Sequence, residues 1–189
     1  MALTETTPME LGYKAPFFSL PDVISGDLIS PQDVPSRKGL VVMFICNHCP
    51  YVIHVREELV RLANDYRSKG IGFIAISSND VENYPEDSPE KMKELAMELN
   101  FPFPYLYDES QRVAKAYKAA CTPDFSVFDS QLTCVYRGRL DGSTPGNNIP
   151  VSGTDLRNAL DALIQGKELD QPQLPSMGCG IKWKTESLD

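Results

Sequence analysis

The fold of this chain is decided by residues 41–50, which read VVMFICNHCP. An apolar run stops at two cysteines with CxxC spacing, and an amphipathic pattern of helical period follows it. A strand that leads into a helix here would place Cys46 and Cys49 at the helix N-terminus. Unpaired backbone N–H groups and the positive end of the helix dipole favour a thiolate over a thiol there. Because the thiolate is the nucleophile of thiol–disulfide exchange, the stretch predicts a redox-active cysteine pair.

Length and composition predict a single globular domain. The chain has 189 residues, of which 42% are hydrophobic and 23% are charged, enough for one domain over residues 1–189 with a sizeable core. The formal net charge of −8 argues against nucleic acid and against anionic membrane surfaces as partners.

The N-terminal sequence and the cysteine content indicate in which cellular compartment the protein is expected. The first residues lack the basic start and apolar core of a signal peptide, and the longest apolar run, residues 40–45, is far too short to span a membrane. We therefore expect a cytoplasmic protein with no membrane partner. Thiols are kept reduced in the cytoplasm, so the five cysteines are not expected to form a structural disulfide framework. A CxxC motif in that setting indicates redox chemistry or metal binding.

The order of predicted elements indicates an α/β fold. Residues 40–45 form a continuous apolar run typical of a central parallel strand, a helix follows over residues 52–66, and residues 71–76 form the next strand. Before the central strand, we predict a loosely held N-terminal extension (1–14) and a short edge strand (15–22). After residue 76, we predict a helix capped by Ser88, a strand (103–107), a short helix (110–117) and a hairpin (125–129 with 132–136). A last helix that Thr154 caps and Gly166 ends leads into an extended C-terminal tail (167–189). This order predicts a mixed central sheet with helices on both faces.

Metal binding is the alternative to redox chemistry for the CxxC pair. A site with four thiolates would need a second close pair of cysteines, and Cys121 and Cys179 are single and distant in sequence. We therefore expect no metal and no cofactor. The acidic run at Glu82, Glu86 and Asp87 is interpreted as a solvated loop.

In four sequence features, this chain resembles the thioredoxin superfamily. More narrowly, it resembles the peroxiredoxin-like branch, which is grouped with alkyl hydroperoxide reductase and thiol-specific antioxidant proteins. The four features are Cys46-Asn47-His48-Cys49 between a strand and a helix, Thr122-Pro123 before a hairpin strand, the opening APFFSLPD at residues 15–22, and GCGIKWK at residues 178–184. The resemblance covers roughly residues 12–185 and implies a thioredoxin-like fold. The chain departs from thioredoxin because Ile45 replaces a tryptophan and Asn47-His48 replaces Gly-Pro, which puts thioredoxin's partners and its strongly reducing potential in doubt.

The resemblance also implies roles for these residues. Cys46 would be the exposed attacking thiolate and Cys49 the resolving thiol, with exchange through a mixed disulfide on Cys46. The Thr122–Pro123 bond would be cis and would present backbone to an extended substrate. His48 is either a solvated residue at the helix start or a cation that lowers the pKa of Cys46, in which case His48→Leu would lower the reduction potential.

The other three cysteines have open roles. Cys121 precedes Thr122-Pro123 and is either a third redox thiol or a small residue that fills the loop. Cys134 alternates with apolar neighbours, which indicates a core residue. Cys179 is expected to be accessible and mobile in the tail, where it is either incidental or, as in some peroxiredoxins, a resolving residue.

Three functions fit this sequence. The leading hypothesis is a thiol–disulfide oxidoreductase that acts on protein disulfides or dithiols with the help of a thiol reductant. The second is a peroxidase that reduces hydroperoxides, although neither Cys46 nor Cys49 stands in a complete Pro-x-x-x-Thr/Ser-x-x-Cys motif. The third is a redox sensor without turnover, in which a disulfide switches a surface.

Overall fold

A computed structural model describes residues 3–185, so the outermost ends of the predicted N-terminal extension and C-terminal tail lie outside the described residues. The strands are β1 (Leu3–Glu5), β2 (Leu20–Pro21), β3 (Leu28–Ile29), β4 (Gly39–Phe44), β5 (Ile71–Ser77), β6 (Tyr105–Tyr107), β7 (Cys121–Thr122), β8 (Asp124–Asp129), β9 (Cys134–Gly138) and β10 (Met177–Gly180). The α-helices are α1 (Pro50–Arg67), α2 (Pro89–Glu98), α3 (Arg112–Ala116) and α4 (Thr154–Gln165), and a 3₁₀ turn covers Pro85–Asp87.

The main sheet has five strands in the order β6-β5-β4-β8-β9. β4 lies at its centre, parallel to β5 and antiparallel to β8, and every residue of β4 is buried. Side chains alternate across it: Val41 and Met43 pack into one apolar cluster, whereas Leu40 and Val42 pack into the other. The sheet is therefore mixed and has an apolar core on each face, as the sequence predicted.

Helices cover both faces of this sheet. The first core contains the apolar stripes of α1, α2 and α4, represented by Leu59, Met92 and Leu160, and the second contains Ala114 of α3. The unit β4–α1–β5 joins two parallel neighbouring strands through a helix, which fixes the start of α1 at the end of the central strand. Within the part of the chain that the structure describes, no helix combines the length and the apolar character needed to cross a membrane.

A second, smaller sheet joins the two ends of the described chain. β10 pairs antiparallel with β1 on one side and with β7 on the other, in the order β1-β10-β7. The prediction of a loosely held N-terminal extension is therefore wrong for Leu3–Glu5, and Met177–Gly180 of the predicted tail are extended but paired in a sheet. Gly178 permits this packing, because a Cβ at that position would overlap the backbone carbonyl of Thr122.

Of the three predictions at helix ends, those for Ser88 and for Gly166, the C-cap residue of α4, were right and that for Thr154 was wrong. The Ser88 hydroxyl accepts a hydrogen bond from the Lys91 N–H at 3.4 Å, which confirms the cap of α2. Thr154 does not cap α4, because Gly153 is the N-cap residue and adopts a left-handed conformation with φ 66°. The Asp141 carboxylate accepts the Gly153 N–H at 2.6 Å and so holds the preceding turn.

Candidate active site

The CxxC turn (residues 46–50) lies where the central strand meets α1. The Ile45 N–H donates to the Ile76 carbonyl at 3.0 Å, which extends the strand pairing to the edge of the turn. Cys49 is the N-cap residue of α1 and Pro50 opens the helix, a position where the missing N–H of proline costs no hydrogen bond. Cys49 therefore lies at the helix N-terminus, as the sequence predicted, and Cys46 lies three residues before it in the turn.

The Thr122–Pro123 peptide bond is cis and faces both cysteines, which confirms the conformation that the resemblance implied. Cys46 Sγ lies 3.3 Å from the Thr122 hydroxyl, and Cys49 Sγ donates toward the Thr122 carbonyl at 3.2 Å. These contacts bridge more than 70 residues of sequence. The structure thus brings together both cysteines and the Thr122–Pro123 pair that the sequence singled out.

The CxxC sulfurs are covered rather than exposed. Cys46 retains 1% of its accessible surface and Cys49 none, so the prediction of an exposed Cys46 is wrong. The loop of residues 79–87, here called the cover loop, lies against the turn and accepts hydrogen bonds from residues 47 and 48. Asn47 Nδ2, for example, donates to the Glu86 carbonyl at 2.9 Å.

Asp87 anchors the cover loop beneath the CxxC turn. Its carboxylate is fully buried and accepts hydrogen bonds from the Asn47 N–H at 2.7 Å, the His48 N–H at 3.3 Å and Asn79 Nδ2 at 2.7 Å. The interpretation of this acidic run as a solvated loop is therefore wrong for Asp87. Nothing in the sequence distinguishes Asp87 from Glu82 and Glu86 of the same run, whose side chains are exposed.

His48 contacts the same carboxylate. Its Nδ1 lies 2.7 Å from Asp87 Oδ2, and its ring stacks on Tyr84 with the ring centroids 5.5 Å apart. A positive charge on His48 would therefore face a buried carboxylate as well as Cys46, and would be partly neutralised by it. The expected effect of His48→Leu on the reduction potential stays a prediction.

The two CxxC thiols titrate as a pair. A hydrogen bond between them raises the pKa of Cys46, and burial and the Asp87 carboxylate raise it further. The same hydrogen bond lowers the pKa of Cys49 to about 5 against the opposing effect of burial, and hydrogen bonding to Cys179 adds to the decrease. The resemblance implied that Cys46 is the attacking thiolate, but in this arrangement the pKa of Cys49 is the one that is lowered. The pair therefore releases one proton readily and holds a second one between its sulfurs.

Cys179 lies at the site, whereas Cys121 and Cys134 do not contribute a sulfur contact to it. The Sγ atoms of Cys49 and Cys179 are 2.6 Å apart, and Cys179 is 5% exposed, so the prediction that it is accessible and mobile is wrong. Cys121 is buried, with its sulfur 3.7 Å from the Pro123 carbonyl oxygen. Cys134 is buried in the apolar core on the opposite face of the sheet, as predicted.

Cys46, His48 and Asp87 are the described residues whose ligand atoms converge most like a metal site, since these atoms all lie within 4.8 Å of one another. Both Asp87 oxygens already accept hydrogen bonds from Asn47 and Asn79. A cation would have to displace these donors and the His48 contact. The donor set therefore fits the hydrogen-bonded network better than a metal.

Comparison with known proteins agrees with this geometry. The model of the AhpC/TSA family matches residues 11–137, a segment that contains the CxxC turn, the cover loop and the cis-proline. The chain belongs to the AhpC/TSA family. This places it in the peroxiredoxin-like branch of the thioredoxin superfamily, as the sequence motifs implied.

Three known proteins illustrate what this chain is similar to. A crystal structure of an uncharacterised conserved protein from Geobacillus kaustophilus is 59% identical, with a TM-score of 0.97 and coverage of 99% of each chain. A Mycobacterium tuberculosis protein with a provisional peroxiredoxin name is 27% identical over 62% of this chain and 69% of its own length. A thioredoxin-like protein from Neisseria meningitidis is 22% identical with a TM-score of 0.62, covering 80% of this chain and 89% of its own, which supports the fold alone.

Proposed function

We propose that this chain is a thiol–disulfide oxidoreductase that exchanges its Cys46/Cys49 dithiol or disulfide with disulfides or dithiols of other proteins. Membership of the AhpC/TSA family supports this proposal, and the thioredoxin-like fold is compatible with it. The proposed setting is the cytoplasm, where a thiol reductant would regenerate the dithiol.

The observation that carries the proposal is the contact of both CxxC sulfurs with the same cis-proline loop. Cys46 Sγ meets the Thr122 side chain and Cys49 Sγ meets the Thr122 backbone, so the two sulfurs lie side by side at a helix N-terminus. This arrangement suits a pair that alternates between two thiols and one disulfide. The shared proton also suits it, because moving that proton along the hydrogen bond transfers negative charge from Cys49 to Cys46.

The proposed exchange has two steps. The Cys46 thiolate attacks a substrate disulfide, forms a mixed disulfide and releases one substrate thiolate. Cys49 then attacks Cys46 Sγ, which forms the Cys46–Cys49 disulfide and releases the second substrate thiolate. Because both sulfurs are buried, the first step requires residues packed around Cys46 to move aside and admit the substrate.

The test is to trap the mixed disulfide. Reduced Cys49→Ser protein, mixed with a protein disulfide, is expected to accumulate a covalent complex through Cys46, whereas Cys46→Ser/Cys49→Ser protein forms none. Wild-type protein should reduce the same substrate repeatedly when a thiol reductant is supplied. A wild-type protein that is oxidised once and then shows no turnover with any reductant would support the redox sensor instead.

Peroxide reduction is a second candidate function, favoured by the low pKa of Cys49. The Cys49 thiolate would attack a hydroperoxide, forming a sulfenic acid and releasing an alcohol or water, and a neighbouring thiol would then form a disulfide with loss of water. The measurement is the second-order rate of thiol loss with hydrogen peroxide. A rate far above that of an unperturbed thiolate, abolished by Cys49→Ser, would favour the peroxidase. A rate equal to that of an unperturbed thiolate would remove this candidate.

A further inference from the structure

Cys49 has a second sulfur neighbour besides Cys46. Its Sγ lies 2.6 Å from Cys179 Sγ, although the two residues are 130 positions apart in sequence. A disulfide bond is about 2.05 Å long, so the two sulfurs need to approach by only about half an ångström to bond. The three sulfurs thus form a cluster in which Cys49 is the member with a neighbour on each side.

Backbone pairing holds Cys179 in place. Within β10 it is the register partner of Leu3 on one side and of Thr122 on the other, and the Ile181 N–H donates to the Ala120 carbonyl at 3.1 Å. Gly178 brings β10 against the Thr122 carbonyl, so the strand lies directly on the cis-proline loop. The position of the Cys179 sulfur therefore follows from strand pairing on both sides.

We propose that Cys179 is a third redox-active thiol, which exchanges with Cys49 and gives the protein a second disulfide, Cys49–Cys179. This inference rests on the proposed Cys46/Cys49 chemistry and extends it. Cys179, as its thiolate, attacks Cys49 Sγ of the Cys46–Cys49 disulfide, and the Cys49–Cys179 bond forms as the Cys46–Cys49 bond breaks. Cys46 leaves with the bonding electron pair and takes the proton that Cys179 lost, so the step needs no external oxidant or reductant.

The second disulfide leaves a different cysteine of the site as a free thiol. With Cys49 bonded to Cys179, Cys46 is again a free thiol beside Thr122 and can react with a second substrate. Cys121 does not serve the same purpose, because its sulfur lies against the Pro123 carbonyl, on the neighbouring strand. The proposed exchange is therefore specific to Cys179.

The experiment removes Cys46 and asks which thiol releases glutathione from Cys49. Full-length Cys46→Ser protein is reduced, treated with glutathione disulfide, quenched with acid, alkylated and mapped by peptide mass spectrometry. We expect transient glutathione on Cys49, followed by a Cys49–Cys179 disulfide. In Cys46→Ser/Cys179→Ser protein, glutathione should stay on Cys49, with release slowed by on the order of a hundredfold, because an intramolecular attack has been lost. Cys46→Ser/Cys121→Ser is the matched control and should release it as fast as Cys46→Ser.

The outcomes separate this inference from the proposed function. Glutathione that stays on Cys49 equally long with and without Cys179 overturns the inference, even if wild-type protein forms Cys46–Cys49. Wild-type protein that forms no Cys46–Cys49 disulfide overturns the proposed function, even if Cys49–Cys179 appears in the single variant. Cys179→Ala in place of Cys179→Ser, with circular dichroism of every variant, guards against a misfolded strand as the cause.

Discussion

Two segments contribute cysteines to this site, and different kinds of contact hold each segment in place. The CxxC turn (residues 46–50) is held by the end of β4 and the start of α1, which adjoin it in sequence. The C-terminal segment (residues 177–184) is held by strands β1 and β7 and by loop residues far away in the chain. The positions of Cys46 and Cys49 are therefore set mainly by elements next to them in sequence, whereas the position of Cys179 depends on the distant partners of β10.

Hydrogen bonds also connect the C-terminal segment to the cover loop. The Lys182 N–H donates to Asn79 Oδ1 at 2.9 Å, and Asn79 Nδ2 donates to Asp87 at 2.7 Å. Asp87 in turn accepts the Asn47 N–H of the CxxC turn. The two segments are therefore linked twice, through the sulfurs and through this chain of hydrogen bonds, and variants in each can test how far they act independently.

The largest expected effect is that of Gly178→Ala. The added methyl overlaps the Thr122 carbonyl, so β10 must shift, at a cost of about 1–3 kcal/mol in the free energy of unfolding. The shift should abolish the Cys49–Cys179 disulfide in a Cys46→Ser background, while wild-type-like Cys46–Cys49 formation continues when Cys46 is present. Chemical denaturation and disulfide mapping measure the two effects.

Gly142→Ala is the matched control for Gly178→Ala. The atoms nearest to a Cβ at Gly142 would belong to the Arg139 side chain, at 3.5 Å or more, which is ordinary van der Waals contact. Equal destabilisation by the two substitutions would mean that the close approach of β10 to the cis-proline loop is not what holds Cys179.

A smaller effect is expected from Cys46→Ala, which removes the largest cause of the lowered pKa of Cys49. Wild-type reduced protein should show thiolate absorbance with a midpoint near pH 5, and the variant should titrate at higher pH. Because the folded pKa of Cys49 lies below the ordinary value of 9.0, the Cys49 thiolate contributes stability to the reduced fold that is fully present above pH 9.0 and is lost as pH falls through about 5. Cys121→Ala, as control, should leave the midpoint unchanged, and an unchanged midpoint in Cys46→Ala would contradict the pairing of the two thiols.

The smallest effect is expected from Asp87→Asn. Loss of the carboxylate removes one of the causes that raise the pKa of Cys46, so alkylation of Cys46 at neutral pH should accelerate, by roughly tenfold or less. Glu86→Gln changes an exposed side chain of the same loop and should leave the alkylation rate unchanged. Slower alkylation in Asp87→Asn would show that Asp87 does not suppress the Cys46 thiolate.

The sequence predicted the features that depend on local pattern. The central strand, α1, the cap at Ser88 and the CxxC turn each follow from residues within a few positions of one another. The cis conformation at Thr122–Pro123 and the fold family followed from the resemblance rather than from local physics.

The features that depend on long-range pairing could not be predicted from local sequence pattern. The Gly and Pro content around Cys179 is typical of a mobile tail, and only the partners of β10 convert it into a buried strand. Asp87 lies among exposed acidic residues, and its burial depends on donors from residues 47, 48 and 79. Thr154 has the chemistry of a cap, but Gly153 and the distant Asp141 carboxylate set the start of α4.

The most direct test of the account is a redox titration of full-length wild-type protein against reduced and oxidised glutathione, with each sample alkylated and mapped. We expect a two-electron transition in which Cys46 and Cys49 become bonded to each other, with part of the oxidised protein carrying Cys49–Cys179 and free Cys46. Cys134 should remain a thiol throughout. Glutathione added independently to single cysteines, with no disulfide within the chain that involves Cys49, would contradict it.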